Sequence, residues 1–200
     1  MAASALAVRL DARERHVKPG ITPTSVERTL DDHDFIVSKT DTKGRIVYAN
    51  RIFIELSGYR EDDLIGKHHN IIRHPDMPRS VFKLLWDQIA AGNEFLGYVK
   101  NMARDGSFYW VMATVTPDRS GRSEIGGFTS VRRKPRKEAV AAAAGLYRDM
   151  LAAETTAGVR DAIAAGTAVL ENALNGRSYE VRPCALSCPC WAGVSLLCLY

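Results

Sequence analysis

The residues best equipped for chemistry lie between His69 and Trp86, in the run HNIIRHPDMPRSVFKLLW. Two His, one Asp and two Arg are interleaved there with Pro75 and Pro78. Each proline lacks an N–H and fixes φ, and each pushes the residue before it towards an extended conformation. His74–Pro78 is therefore expected as a turn or interrupted helix, a stiff bend that displays Arg73, His74 and Asp76. A guanidinium on such a bend can pair bidentately with phosphate. Phe82 and Trp86 follow four residues apart, on one face of the next helix. Asn101 lies further on, in a strand-like run where alternation places Phe95, Gly97 and Val99 on its face. Its amide offers a donor and an acceptor, as the polar edge of a flat heterocycle requires. With Trp110 on the neighbouring strand, these residues outline an aromatic slot with a few polar handles. The same residues have structural readings: Phe82 and Trp86 as core, Asn101 as closing the Asp105-Gly106 turn, and His74 as a hydrogen-bonded framework residue.

Other chemistries leave no trace. The chain has no G-x-S-x-G elbow, no HExxH, no GxGxxG and no GxxxxGK[ST], so serine-hydrolase, zincin, dinucleotide and P-loop sites are not indicated. All four Cys (Cys184, Cys188, Cys190, Cys198) fall in the C-terminal tail, without a neighbouring His or acidic ligand, so no metal site is expected. A Cys-free body suits a reducing cytoplasm.

The elements that must position the bend can be read from period and turn chemistry. Phe35–Thr40 and Arg45–Ala49 are β-rich and flank Asp41-Thr42-Lys43-Gly44, which predicts a hairpin. Asn50 is placed to cap a short helix carrying Ile52, Phe53 and Leu56, and Glu61–Gly66 reads as a single turn with a glycine stop. After Pro78, Val81, Phe82, Leu84, Leu85 and Ile89 repeat at helical spacing up to Ala91-Gly92. Phe95–Met102, Phe108–Thr116 and Ile125–Arg132 are strands, joined at Asp105-Gly106 and Ser120-Gly121-Arg122, with Pro117-Asp118 expected to end the second. Helices between two groups of strands predict an α+β architecture: one five-stranded antiparallel sheet with helices over one face. From about Lys137 to Leu174 an Ala-rich composition predicts one long or two consecutive helices. Their stripe of Ala139, Ala142, Leu146, Met150, Ala153 and Ala157 is expected to project and to meet the same helix of a second subunit. The organisation is an N-terminal arm (1–21), a domain (22–136), a helical extension (137–175) and a Cys-containing tail (176–200).

The 200 residues are 46% hydrophobic and 25% charged, a globular composition, with three Trp, seven Tyr and six Phe to support a core. A net charge of +4 is small, and its densest cluster (Arg132, Arg133, Lys134, Arg136, Lys137) reads as a solvated domain boundary rather than a nucleic-acid surface. No leader with a cleavage site is evident. No segment reaches the roughly 20 apolar residues of a membrane span, so a cytoplasmic location is expected.

Asn50, Ser57-Gly58-Tyr59, Gly66, HNIIRHPDMP (69–78), Phe82, Trp86, Gly97, Lys100-Asn101, Asp105-Gly106 and Tyr109-Trp110-Val111 together resemble a PAS domain. The RHPDMP run followed by KN…DG..YWV is similar to the PAS sensor of bacterial aerotaxis receptors, over about residues 22–136. The resemblance implies a PAS fold, FAD held non-covalently between sheet and helices, and no enzymatic activity. It implies that Asn50, Arg73, His74, Asp76, Phe82, Trp86 and Asn101 fall at cofactor-linked positions. The redox signal would pass through the C-terminal helix of a homodimeric module to a chemotaxis-type signalling partner. Haem, with a histidine as axial ligand, is the less favoured cofactor, and a cofactor-free dimerisation and relay module is the alternative function. At one position the chain departs from the pattern: the family often has Trp where Phe95 stands.

Overall fold

The computed structural model describes residues 20–120 and 124–174. The expectations for the N-terminal arm, for the turn at Gly121-Arg122 and for the Cys-containing tail lie largely or wholly outside the described residues.

The described chain runs β1 (Ile36–Thr40), β2 (Ile46–Ala49), α1 (Arg51–Ser57), α2 (Glu61–Leu64), a 3-10 turn (His69–Ile72), α3 (Arg79–Ala90), β3 (Phe95–Met102), β4 (Phe108–Ser120), β5 (Glu124–Arg133) and α4 (Lys137–Ala173). The strands form one five-stranded antiparallel sheet in the order β2-β1-β5-β4-β3. This is the expected PAS fold.

Local chemistry accounts for the connections. Asp41 Oδ1 accepts from the backbone N–H groups of Lys43 and Arg45, which tightens the β1–β2 turn. Asn50 Oδ1 accepts from Phe53 N (3.1 Å) at the start of α1, and also from Val37 N (3.0 Å), so one side chain caps the helix and anchors it to β1. β4 continues through Pro117 to Ser120 and does not end at Pro117-Asp118. β3 begins at Phe95, opposite Val115, so beyond that point β4 is an edge and a residue without an N–H can interrupt pairing on one side only.

Register divides the sheet into two faces. Ile36 and Ser38 of β1, Phe128, Ser130 and Arg132 of β5, Tyr109, Val111 and Ala113 of β4, and Phe95, Gly97, Val99 and Asn101 of β3 share the inner face, under α1, the 3-10 turn and α3. All of these are buried, with Ile36, Phe95, Tyr109 and Val111 fully so beside Phe53.

α4 departs from expectation. It does not project; it lies on the outer face of the sheet and then packs against α3. Tyr147 donates its hydroxyl to Tyr98 O at 2.7 Å and stacks on Trp110 at 6.1 Å. Before Gly158 the buried positions are Ala139, Ala143, Tyr147, Met150 and Glu154: Ala139 and Met150 fall on the expected stripe, and the other three stand one residue beyond it. An apolar count could not weigh a Tyr with a carbonyl to bond or a Glu with a helix end to cap. At Gly158 (φ 76°, ψ 177°) the helix breaks, in a region open to glycine alone. The second half of α4 then returns beside the first, bringing Gly166 against Glu154.

Candidate functional site

The 73–78 bend forms as its prolines require. Pro78 (φ −58°) precedes α3 as its N-cap, and the bend runs along the free edge of β3. Arg73 bridges to Asn101 there, and Lys100 N approaches Met77 Sδ at 3.2 Å. Arg73 Nη2 donates to Met77 O at 2.9 Å, and its guanidinium lies 4.5 Å over the Phe82 ring.

The structure separates the seven sequence-derived candidates into two groups. Asn101 points to the inner face, Arg73 and Phe82 form the adjoining edge, and Trp86 meets Phe128 of the inner face edge-on at 5.7 Å. Asn50, His74 and Asp76 lie in the framework. Both ends of the Asn50 amide are engaged, since its Nδ2 also donates to Phe35 O at 2.7 Å. His74 is buried, accepts from Asp76 N at Nδ1 (3.0 Å) and meets Phe108 edge-on. The Asp76 carboxylate is 60% exposed and pairs with Lys100 Nζ at 2.6 Å. Trp110, read as part of the aromatic slot, stands on the outer face against Tyr147, because it alternates with Tyr109 and Val111.

Asn101 does not close its turn; Asp105 does, accepting from the N–H and the hydroxyl of Ser107. Those bonds and Arg28 hold the Asp105 carboxyl down at about 2. Asn101 Nδ2 instead faces the interior, buried, with no hydrogen-bond partner among the described residues. The same holds for Tyr109 Oη, Ser130 Oγ and Arg132 Nη1. Four unsatisfied polar atoms on one buried face are costly, about 1–3 kcal/mol each by mutational measures, and call for a partner.

The deepest part of this face is a polar cluster that sequence reading missed. Arg132, 4% exposed, sends Nη2 to Ser38 Oγ (2.8 Å) and to His69 Nε2 (2.6 Å). His69 stacks on Phe53 at 5.7 Å, and the guanidinium sits 5.2 Å over the same ring. Burial, and then the Arg132 charge, hold the His69 imidazole well below its usual range, so it is neutral and accepts at Nε2. Burial lowers Arg132 itself to about 10, which leaves it cationic at neutral pH. Burial also pushes the Tyr109 phenol upward, so it remains a hydroxyl.

The donor set fits the polar edge of a flavin ring. Asn101 and Arg132 offer N–H groups and Tyr109 and Ser130 offer hydroxyls, while the ring of Phe95 covers Gly97, 2.7 Å from where a Cβ would stand, and takes up the space over that glycine. Among the described residues, no group of three or more His, Cys, Asp and Glu is arranged to hold a metal.

Residues 46–132 match the family model described as PAS fold. The chain is 37% identical to the aerotaxis receptor of Escherichia coli over 134 residues, 66% of this chain and 26% of that protein. It is 33% identical to the biofilm dispersion protein BdlA of Pseudomonas aeruginosa over 42% of this chain and 21% of that one. The nitrogen fixation regulatory protein of Klebsiella pneumoniae is 27% identical over 58% of this chain and 22% of its own length. The chain thus spans about a quarter of the length of these relatives. Among solved structures, the light state of the blue-light photoreceptor Aureochrome1 LOV is 25% identical, with a TM-score of 0.48, over 56% of this chain and 88% of that one.

Proposed function

We propose that this PAS-fold chain is a non-enzymatic redox-sensing module that holds FAD between its sheet and its helices. In this reading it relays the ring's state through α4 to a chemotaxis-type signalling partner, as a homodimer in the cytoplasm. The observation that carries the proposal is the set of four buried, unsatisfied polar atoms on the inner face, at Asn101, Tyr109, Ser130 and Arg132. The likeness to an aerotaxis receptor supports it.

Bound there, the flavin supplies reversible electron uptake, which alters charge and hydrogen bonding at the polar edge of its ring. Asn101 orients that edge. Trp86 and Phe82 wall the cleft on the α3 side, and Arg73 supplies positive charge at its rim, where phosphate groups are held. Asn50, His74 and Asp76 contribute by fixing α1 and the 73–78 bend. Changes at Asn101 reach the output helix over a short path, because β3 carries both Asn101 on its inner face and Tyr98, whose carbonyl accepts from Tyr147 of α4.

The visible spectrum of the purified chain, before and after incubation with FAD, tests this reading. Flavin bands that persist through gel filtration are expected. Their absence in both preparations would overturn it, and a sharp Soret band would assign the cleft to haem instead.

A further inference from the structure

α4 turns back on itself at a single residue. In an unbroken helix Gly166 would stand about 18 Å beyond Glu154, yet a Cβ on Gly166 would lie 2.7 Å from Glu154 Oε1. Gly158 alone makes the reversal, with φ 76° and ψ 177° inside an otherwise helical run from Lys137 to Ala173. Backbone of that kind is open to glycine and closed to a residue with a Cβ. The break leaves the last carbonyls of the first half and the first N–H groups of the second without helical partners. No packing holds the reversal at the hinge: a Cβ on Gly158 would meet no atom within 4 Å, and the neighbouring Val159 is 57% exposed. The second half is held at a distance instead. Its Ala162, Gly166 and Leu170 are buried, and Gly166 fits against Ser80 Oγ and the Glu154 carboxylate that accepts from it. That seat belongs to α3 and to the first half of α4, so every copy of the chain carries one. A helix from a second copy fits it as well as the chain's own. Short hinges under strain favour such an exchange of identical elements.

We propose that two copies of this chain pair by exchanging the second halves of α4. Gly158 becomes helical, α4 runs straight from Lys137 to Ala173, and residues 159–173 of each copy fill the seat at Ser80 and Glu154 of the other. A straight α4 of 37 residues is about 55 Å long, which carries its second half clear of its own α3. The contacts of the seat are remade between copies, and helical hydrogen bonds are gained across Gly158. Opposing them is the entropy of bringing two chains together, so protein concentration sets the balance. Exchange gives a structure to the homodimer of the reading above, on which it rests, and does not depend on the flavin.

The test is sedimentation velocity of the full chain over a range of concentrations, with a reductant present so that the four cysteines cannot link copies. The wild type should pair reversibly. Gly158→Ala adds a methyl that meets no atom, so it acts through the backbone alone, straining the reversal and favouring the straight helix. It should pair at least about tenfold more tightly than the wild type. A Gly-Ser-Gly insertion after Gly158 lets the hairpin close without strain and interrupts the straight helix. It should pair at least about tenfold more weakly. Circular dichroism establishes that each variant is folded. A wild type that pairs, with a folded insertion variant that pairs equally tightly, overturns the exchange alone. So does a folded Gly158→Ala variant with wild-type affinity. A wild type that stays monomeric throughout overturns the exchange and the homodimer together, and leaves the flavin reading untouched.

Discussion

The Glu154 carboxylate accepts from both the backbone N–H (2.9 Å) and the hydroxyl (2.6 Å) of Ser80, so the C-terminal helix caps the helix that follows the 73–78 bend. A second oxygen of the same group accepts from Arg79 N at 3.0 Å. The need is local: the first N–H groups of a helix have no partner within it, and Pro78 at the N-cap position has no side chain to offer. The carboxylate also meets the positive end of the α3 dipole. α4 is thereby tied to α3 at a buried point, as Tyr147 ties it to the sheet at Tyr98.

Removing that cap should cost stability. Glu154→Ala leaves two backbone donors and a hydroxyl without their acceptor, and a loss of about 2–3 kcal/mol is expected from hydrogen bonds to a charged group. Urea unfolding reads it directly. A midpoint within error of the wild type would show that the cap is idle.

Two glycines of α4 should respond in opposite directions to the same change. A Cβ at Gly166 would collide with Ser80 Oγ and lie 2.7 Å from Glu154 Oε1, whereas at Gly145 the nearest atom is Arg148 Nη2 at 4.0 Å. Gly145→Ala should therefore gain about 0.5–1 kcal/mol from helix propensity. Gly166→Ala should lose about 1–3 kcal/mol to overpacking despite the same gain. Thermal melts of the two variants side by side would settle the sign of each.

The neutral state of His69 has a pH signature. Its folded pKa lies below the usual 6.5, so as pH falls through that value the unfolded chain takes a proton that the folded chain refuses. Stability therefore falls on acidification, with a limiting slope of about 1.4 kcal/mol per pH unit for one such group. His69→Gln keeps an acceptor for Arg132 and should flatten that slope between about pH 7 and pH 5. Urea midpoints across this range provide the measurement, and equal slopes for both proteins would contradict the assignment.

What the sequence reveals of this molecule is what neighbours in the chain decide. The bend at His74–Pro78 follows from two prolines, the cap at Asn50 from its place before an apolar-periodic run, and the β1–β2 turn from Asp41 and Gly44. The Arg132 cluster was not legible in the same way. Arg132 reaches Ser38 across 94 residues through β1–β5 pairing, and in the chain it stands at the head of a basic run that reads as solvated boundary. One signal was available: by alternation Arg132 shares a face with Phe128 and Ser130. The course of α4 was hidden for a related reason. Its contacts are made by Tyr147 and Glu154, polar side chains whose partners, Tyr98 and Ser80, belong to distant elements.

The central claim is that the inner face binds a flavin through polar atoms left unsatisfied by the protein. Equilibrium titration of the cofactor-stripped chain with FAD, followed by quenching of flavin fluorescence, addresses it most directly, with Asn101→Leu as the paired variant and circular dichroism confirming that both are folded. The account predicts saturable binding to the wild type and an affinity at least about tenfold weaker in the variant, the equivalent of one lost hydrogen bond. A folded wild type that shows no saturable binding would contradict it.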